Sequence, residues 1–164
     1  MINLFNAPNG MNIVGQGGKI ILFTLPFAIS AIVLDVYLPE MASLPKGLYY
    51  LPACGFVLLF AGILLWGCAV IQLLIGFPKG RLITTGAYGI CRNPIYSSMI
   101  VLILPAISLL TLTWVYLAVS LFLYIGVFIF IRKEETRLQE VFGDEYLDYK
   151  AKVSRIIPFF KPGS

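Results

Sequence analysis

The chain has no histidine and only three cysteines. Without histidine there is no Ser-His-Asp hydrolase, no HExxH metalloprotease and no His-ligated haem or di-iron centre. Cys54, Cys68 and Cys91 are an odd number, two of them inside an apolar run, and no CxxC occurs. Neither a disulfide framework nor a thiolate metal site is therefore expected. Charge is also scarce. Only 12% of the 164 residues are charged, against about 25% in a soluble domain. That is too little to wet the surface of a soluble protein. In its place stands hydrophobic sequence, 59% of the chain, with a mean hydropathy of +0.90.

The stretch from Pro94 to Ile131 contains no charged residue and is nearly twice the ~20 residues that cross a bilayer core. It reads as two helices, 94–111 and 114–131, turning near Leu110-Thr111-Leu112-Thr113. Two earlier spans are expected over 20–37, with Pro26 as a kink, and 53–75, where Gly55, Gly62 and Gly67 allow close helix contact. The fold class is all-α integral membrane, one domain, preceded by a flexible Gly/Asn-rich tail over 1–18. No cleavable leader is evident.

With four spans, every Lys and Arg except Lys46 falls on one side of the membrane. The positive-inside rule makes that side cytoplasmic, with both termini. The net charge of +4 flanks spans and is interleaved with acids in the tail. It points to anionic lipid headgroups rather than nucleic acid. The fourth helix should outrun the membrane, since nothing breaks it before Gly143 and Trp114–Phe142 measures roughly 43 Å at ~1.5 Å per residue. Leu138, Val141 and Phe142 give its projecting end an apolar face. Beyond Gly143, Tyr146, Tyr149 and Val153 suggest a short amphipathic helix on the membrane surface.

Helix arithmetic brings two polar groups together. Asn93 and Glu134 stand about 28 and 33 Å from the turn, so Arg92-Asn93 and Glu134-Glu135 should share one depth at the cytoplasmic surface. Each residue has an ordinary explanation: Arg92 as a basic anchor, Asn93 as an N-cap, Pro94 as a first-turn proline, Tyr96 in an aromatic belt. Pairing with Arg137 or Lys133 would account for Glu134. Asp35 and Gln72 lie near membrane ends and read as interfacial solvation. Jointly, a cation, an amide, two carboxylates and a helix start make a polar pocket able to hold an anion.

The ordered set is more specific than its parts. Gly86, Tyr88, Arg92, Asn93, Pro94 and Tyr96 precede an uncharged helical hairpin. Glu134, Glu135, Leu138, Phe142, Gly143, Tyr146, Tyr149, Val153, Arg155 and Pro158 follow it. This pattern resembles the isoprenylcysteine carboxyl methyltransferases and the wider group of membrane phospholipid methyltransferases, over about 80–158. Many members carry histidine where this chain has Asn93. An amide hydrogen-bonds but takes no proton at neutral pH. Asparagine occurs there in bacterial relatives, so the resemblance stands; the membrane expected is a prokaryotic cell membrane rather than the endoplasmic reticulum.

The resemblance implies S-adenosylmethionine as methyl donor, held by the C-terminal half without metal. Arg92 and the helix start at Pro94 would take the donor's carboxylate. Glu134 or Glu135 would accept from its ribose or ammonium, while Tyr88, Tyr96 or Tyr146 packs on adenine or near the sulfonium. Arg92 and Glu135 are the expected catalytic pair; Tyr88, Arg92, Asn93, Pro94, Tyr96, Glu134, Glu135 and Tyr146 are the expected donor site. The acceptor would be lipophilic, entering from the bilayer: a prenylcysteine-type carboxylate, a thiol or a phospholipid amine. A carboxylate or thiol is mildly favoured, because an amine needs a base. Two other classes stand beside this reading, an NADPH-dependent membrane reductase of the related sterol reductase fold and a non-catalytic membrane protein of the same fold.

Overall fold

A computed structural model describes residues 15–45 and 49–157. The tail up to residue 14, Lys46 and Pro158 lie outside them. The order of elements is α1 (Gly17–Tyr37), a short α2 (Pro39–Ala42), α3 (Leu51–Gly76, prolonged by one tight turn to Lys79) and α4 (Ala87–Ile90). Then come α5 (Pro94–Ser97), a π-helical turn (Ser98–Ile103), α6 (Leu104–Thr111) and α7 (Val115–Lys152). Four helical segments are long and apolar enough to cross a membrane: α1, α3, the run 94–111, and α7. They coincide with the four expected spans, the first two beginning a few residues earlier. The protein is an all-α integral membrane protein.

Its apolar residues are distributed as lipid requires. Large side chains such as Leu22, Ile32, Phe56, Phe60 and Ile71 are exposed, while the interior holds Ile20, Ala69, Ala106, Val127 and Ile131. With no hydrophobic drive between helices in lipid, contact depends on backbones approaching closely. A Cβ on Gly55 would stand 2.9 Å from Leu110 Cγ, and one on Gly62 2.7 Å from Ile103 Cγ1. These two glycines therefore seat α3 against the third span as expected. Gly67 does not: a Cβ there would meet nothing within 4 Å.

The π turn and the proline after it leave one carbonyl without a partner in its own helix. Leu104 N–H bonds to Met99 O, five residues back. In that register the next bond would run from residue 105 to Ile100 O, but residue 105 is a proline with no N–H. The orphaned carbonyl accepts instead from Ser120 Oγ on α7, 2.6 Å away. A sequence rule about a single helix is thus completed by a neighbour.

The hairpin turns at Leu112, whose φ of 54° is left-handed. The turn is held because Leu44 N–H donates to Leu112 O at 2.7 Å and Trp114 N–H to Ala42 O at 3.0 Å. Asp35 is recruited here too, accepting from Tyr116 Oη at 2.8 Å, so it ties α1 to α7 where interfacial solvation was expected. At the other end, α7 breaks its helical geometry at Gly143 (φ 53°, ψ −126°). The helix that follows differs from the expected surface-lying one. Tyr146 and Tyr149 are buried, so its aromatic face turns into the protein.

Candidate functional site

The site is built from the loop before α5 and the end of α7. Gln72 on α3, expected merely to meet solvent, accepts from Ala87 N–H at 3.0 Å and so places α4. After the break at Gly143 the chain returns over this loop. Tyr149 Oη donates to Tyr88 O at 2.6 Å. Arg92 N–H donates to Ser154 O at 2.8 Å and Asn93 N–H to Arg155 O at 3.1 Å. Asn93 occupies the N-cap position of α5 but makes no side-chain cap; its amide Nδ2 donates to Arg155 O at 3.1 Å.

Arg92 is the centre of this arrangement. Its Nη1 donates to Lys150 O at 2.9 Å and Val153 O at 2.8 Å, closing the C-terminus of α7 with a cation, as the helix dipole favours. Its Nη2 reaches Glu135 Oε1 at 2.9 Å, and the two side chains are only 9% and 7% exposed. Arg155 adds Nη2 to Glu135 Oε2 at 2.5 Å and Nε to Glu135 Oε1 at 3.1 Å. Arg92 and Glu135 do share a depth, as helix arithmetic required. Their charges, however, are spent on each other and on the backbone.

Beside this clamp lies a cavity of about 370 Å³, within the range that takes a cofactor-sized ligand. Of the expected donor residues, Tyr88, Arg92, Asn93, Pro94, Tyr96 and Glu134 line it, whereas Glu135 and Tyr146 do not. Sequence reasoning had not named as donor residues Gln16 at the start of α1, Leu73 and Phe77 at the end of α3, or Arg81 and Lys133. Nothing in their spacing relative to the motif signals them. They arrive through the packing of α1 and α3 against α7. Tyr149, quoted as part of the motif but not as a donor residue, also lines the cavity.

Both glutamates lie beyond the apolar part of α7, which ends at Ile131. Burial pushes the Glu135 carboxyl up, but the Arg155 hydrogen bond and the two arginine charges outweigh it and leave the group below its ordinary value. Glu134 is raised, by burial first and by the charge of Glu135, with only the Gln16 N–H opposing. That single bond is long, 3.3 Å. Burial also raises Tyr88 and Tyr149 far above neutrality and raises the Cys91 thiol, so all three are neutral groups. Two polar atoms on residues of the cavity wall, Gln16 Oε1 and Arg92 Nε, are buried without a partner among the described residues.

A membrane-spanning helical bundle with a ligand-sized cavity at its polar end is thus the class of protein defined by fold and site. Residues 52–145 match the family model for phospholipid methyltransferase, which is more than half of the 164-residue chain. The chain belongs to the phospholipid methyltransferase family, a family of membrane methyltransferases. No curated protein matches it.

Proposed function

We propose that the protein transfers a methyl group from S-adenosylmethionine to a lipophilic acceptor at the cytoplasmic face of its membrane, with both termini on that side. The observation that carries this reading is the chemistry of the cavity wall. The cavity is lined by the Glu134 carboxylate, which has one long N–H bond and no ion pair among the described residues, and by two residues carrying buried polar atoms without a partner among those residues, the donor Arg92 Nε and the acceptor Gln16 Oε1. Such a wall suits a zwitterion that also carries an aromatic base. Tyr88, Tyr96 and Phe142 supply aromatic surface for that base. Unpaired buried polar atoms cost about 1–3 kcal/mol each, a penalty that a matching ligand removes.

The bound donor supplies an electrophilic methyl group on a positively charged sulfur. The protein's own part is positioning. Arg92 Nε and the N-terminal turn of α5 hold the donor's carboxylate, and Glu134 its positive end. Glu135 acts as a positioning residue, keeping Arg92 in place. Leu73, Phe77, Ile83 and Ile95 give the cavity apolar walls beside the bilayer, suited to an acceptor with a hydrocarbon tail. A prenylcysteine-type carboxylate or a thiolate attacks as it stands. A phospholipid amine must first lose a proton, and with Glu134 engaged by the donor's positive end no other carboxylate among the described residues lines the cavity to receive it, which favours the carboxylate or thiolate acceptor.

The test uses the purified, detergent-solubilised protein. It should bind S-adenosylhomocysteine in preference to NADPH and move tritium from methyl-labelled S-adenosylmethionine into a lipid extract. Binding of NADPH alone would replace this reading with a reductase. Binding of neither would leave a membrane protein without this chemistry.

A further inference from the structure

Gln16 precedes the first turn of α1, far in sequence from the motif, yet its residue meets Glu134 across the cavity wall. Gln16 N–H points at Glu134 Oε2 from 3.3 Å. The preceding residue approaches so closely that a Cβ on Gly15 would stand 2.6 Å from Glu134 Oε2, and its φ of +47° is one that glycine adopts most readily. The chain entering α1 is therefore a wall of the cavity at the point where Glu134 faces it.

Two features there ask for the same ligand. Glu134 is a half-buried carboxylate with no ion-pair partner among the described residues, and one long N–H bond is weak compensation for its charge. Gln16 Oε1 is a buried acceptor with no partner among the described residues. An acceptor and an anion on two residues that meet in one cavity wall match a group that is positively charged and rich in N–H donors. A ribose hydroxyl would fill only one of these needs, because it carries no charge. A primary ammonium, with three donors and one positive charge, fills both.

We propose that Gln16 is a binding residue of the donor site and that, together with Glu134, it selects the α-ammonium group of the donor's amino-acid part. The inference rests on the donor reading above. It adds a determinant from the first span to a site otherwise drawn from the C-terminal half. It also assigns the two ends of the amino acid: ammonium toward α1 and Glu134, carboxylate toward Arg92 Nε.

Equilibrium binding of two ligands to the full-length protein tests it: S-adenosylhomocysteine and its analogue in which hydrogen replaces the α-amino group. The natural protein should prefer S-adenosylhomocysteine by about tenfold or more, and Gln16→Leu should lose most of that preference by weakening S-adenosylhomocysteine alone. Gln16→Glu keeps an acceptor oxygen at the same reach and should retain the preference. Thermal unfolding without ligand identifies any variant that has not folded, and Gln16→Glu then decides if Gln16→Leu fails. Equal weakening of both ligands by Gln16→Leu, or a folded Gln16→Glu that binds neither, overturns the assignment, the latter by showing that Gln16 acts as a donor. If the natural protein binds neither ligand, the donor reading itself falls, and this inference with it.

Discussion

Glu134 and Glu135 are neighbours on α7 with opposite surroundings: Glu134 lines the cavity with no ion pair among the described residues, and Glu135 is held between Arg92 and Arg155. Successive helical residues stand about 100° apart around the axis, so one turns toward α1 and the other toward the returning C-terminal segment. The pair divides the work. One carboxylate holds the fold at the cavity's edge, and the other faces the cavity.

The clamp predicts a stability phenotype. Glu135→Gln leaves two partly buried arginines facing a neutral amide, and breaking a buried pair costs about 3–5 kcal/mol. The melting temperature of the detergent-solubilised protein should fall on the order of 10 °C. The sign with pH follows from the lowered carboxyl. Its stabilisation is complete above the ordinary glutamate value of 4.5 and is lost as pH falls through the lower folded value. The natural protein should lose stability on acidification below that point, while Glu135→Gln should lose less over the same window. Equal melting temperatures at pH 7 would remove the clamp from the account.

The π turn makes a second prediction in the membrane. Ser120→Ala deprives Ile100 O of its partner and should cost about 0.6–1.7 kcal/mol. Pro105→Ala supplies an N–H that can reach the freed carbonyl. The double variant should therefore be less destabilised than the sum of the single changes, and simple additivity would count against the coupling.

Much of the fold was legible because a bilayer imposes one dominant rule, long uncharged runs, and the charge-free stretch 94–131 obeyed it. The turn near Leu112 followed from a dip in helix propensity, the break at Gly143 from glycine's place after a helix end, and the shared depth of Arg92 and Glu135 from helix lengths. What the sequence did not disclose depends on rotation about α7 and on distant packing. Spacing could not say which of two adjacent glutamates faces the cavity. Tyr146 has the periodicity of a surface residue, but the kink at Gly143 folds it inward. Gln16 lies too far from the motif to be linked to it without the α1–α7 contact.

Asn93 bears on both fold and site. Its amide donates to Arg155 O and it also lines the cavity. Asn93→Ala should lose about 1 kcal/mol of stability with one hydrogen bond and weaken donor affinity. Asn93→His keeps a ring N–H for the same carbonyl and should retain measurable methyl transfer. It should also introduce a pH dependence near 6–7, where histidine titrates, read from the rate profile of the two proteins side by side. A folded Asn93→Ala with normal donor affinity and no turnover would instead place this residue against the acceptor.

Glu134 should show stability and binding pulling in opposite directions. Its carboxyl is raised by burial and by the neighbouring charge of Glu135. A raised acid binds its proton more tightly when folded than when unfolded. Stability therefore falls as pH rises from the ordinary value of 4.5 through the folded value, and above both the full penalty is present. Glu134→Gln is neutral at every pH and can still accept from Gln16 N–H, so the ligand-free protein should melt higher than the natural one at pH 7. The same change removes the negative charge facing the donor's positive end. S-adenosylhomocysteine should bind the variant roughly 10- to 100-fold more weakly. In the natural protein, affinity should rise with pH through the folded value of Glu134, because the ionised form is the one that pairs. That rise should be absent from Glu134→Gln. Melting curves with and without S-adenosylhomocysteine, taken across pH, measure both effects on one sample. A variant that is less stable without ligand and binds normally would show that Glu134 serves the fold, and the cavity would then need another anion for its ligand.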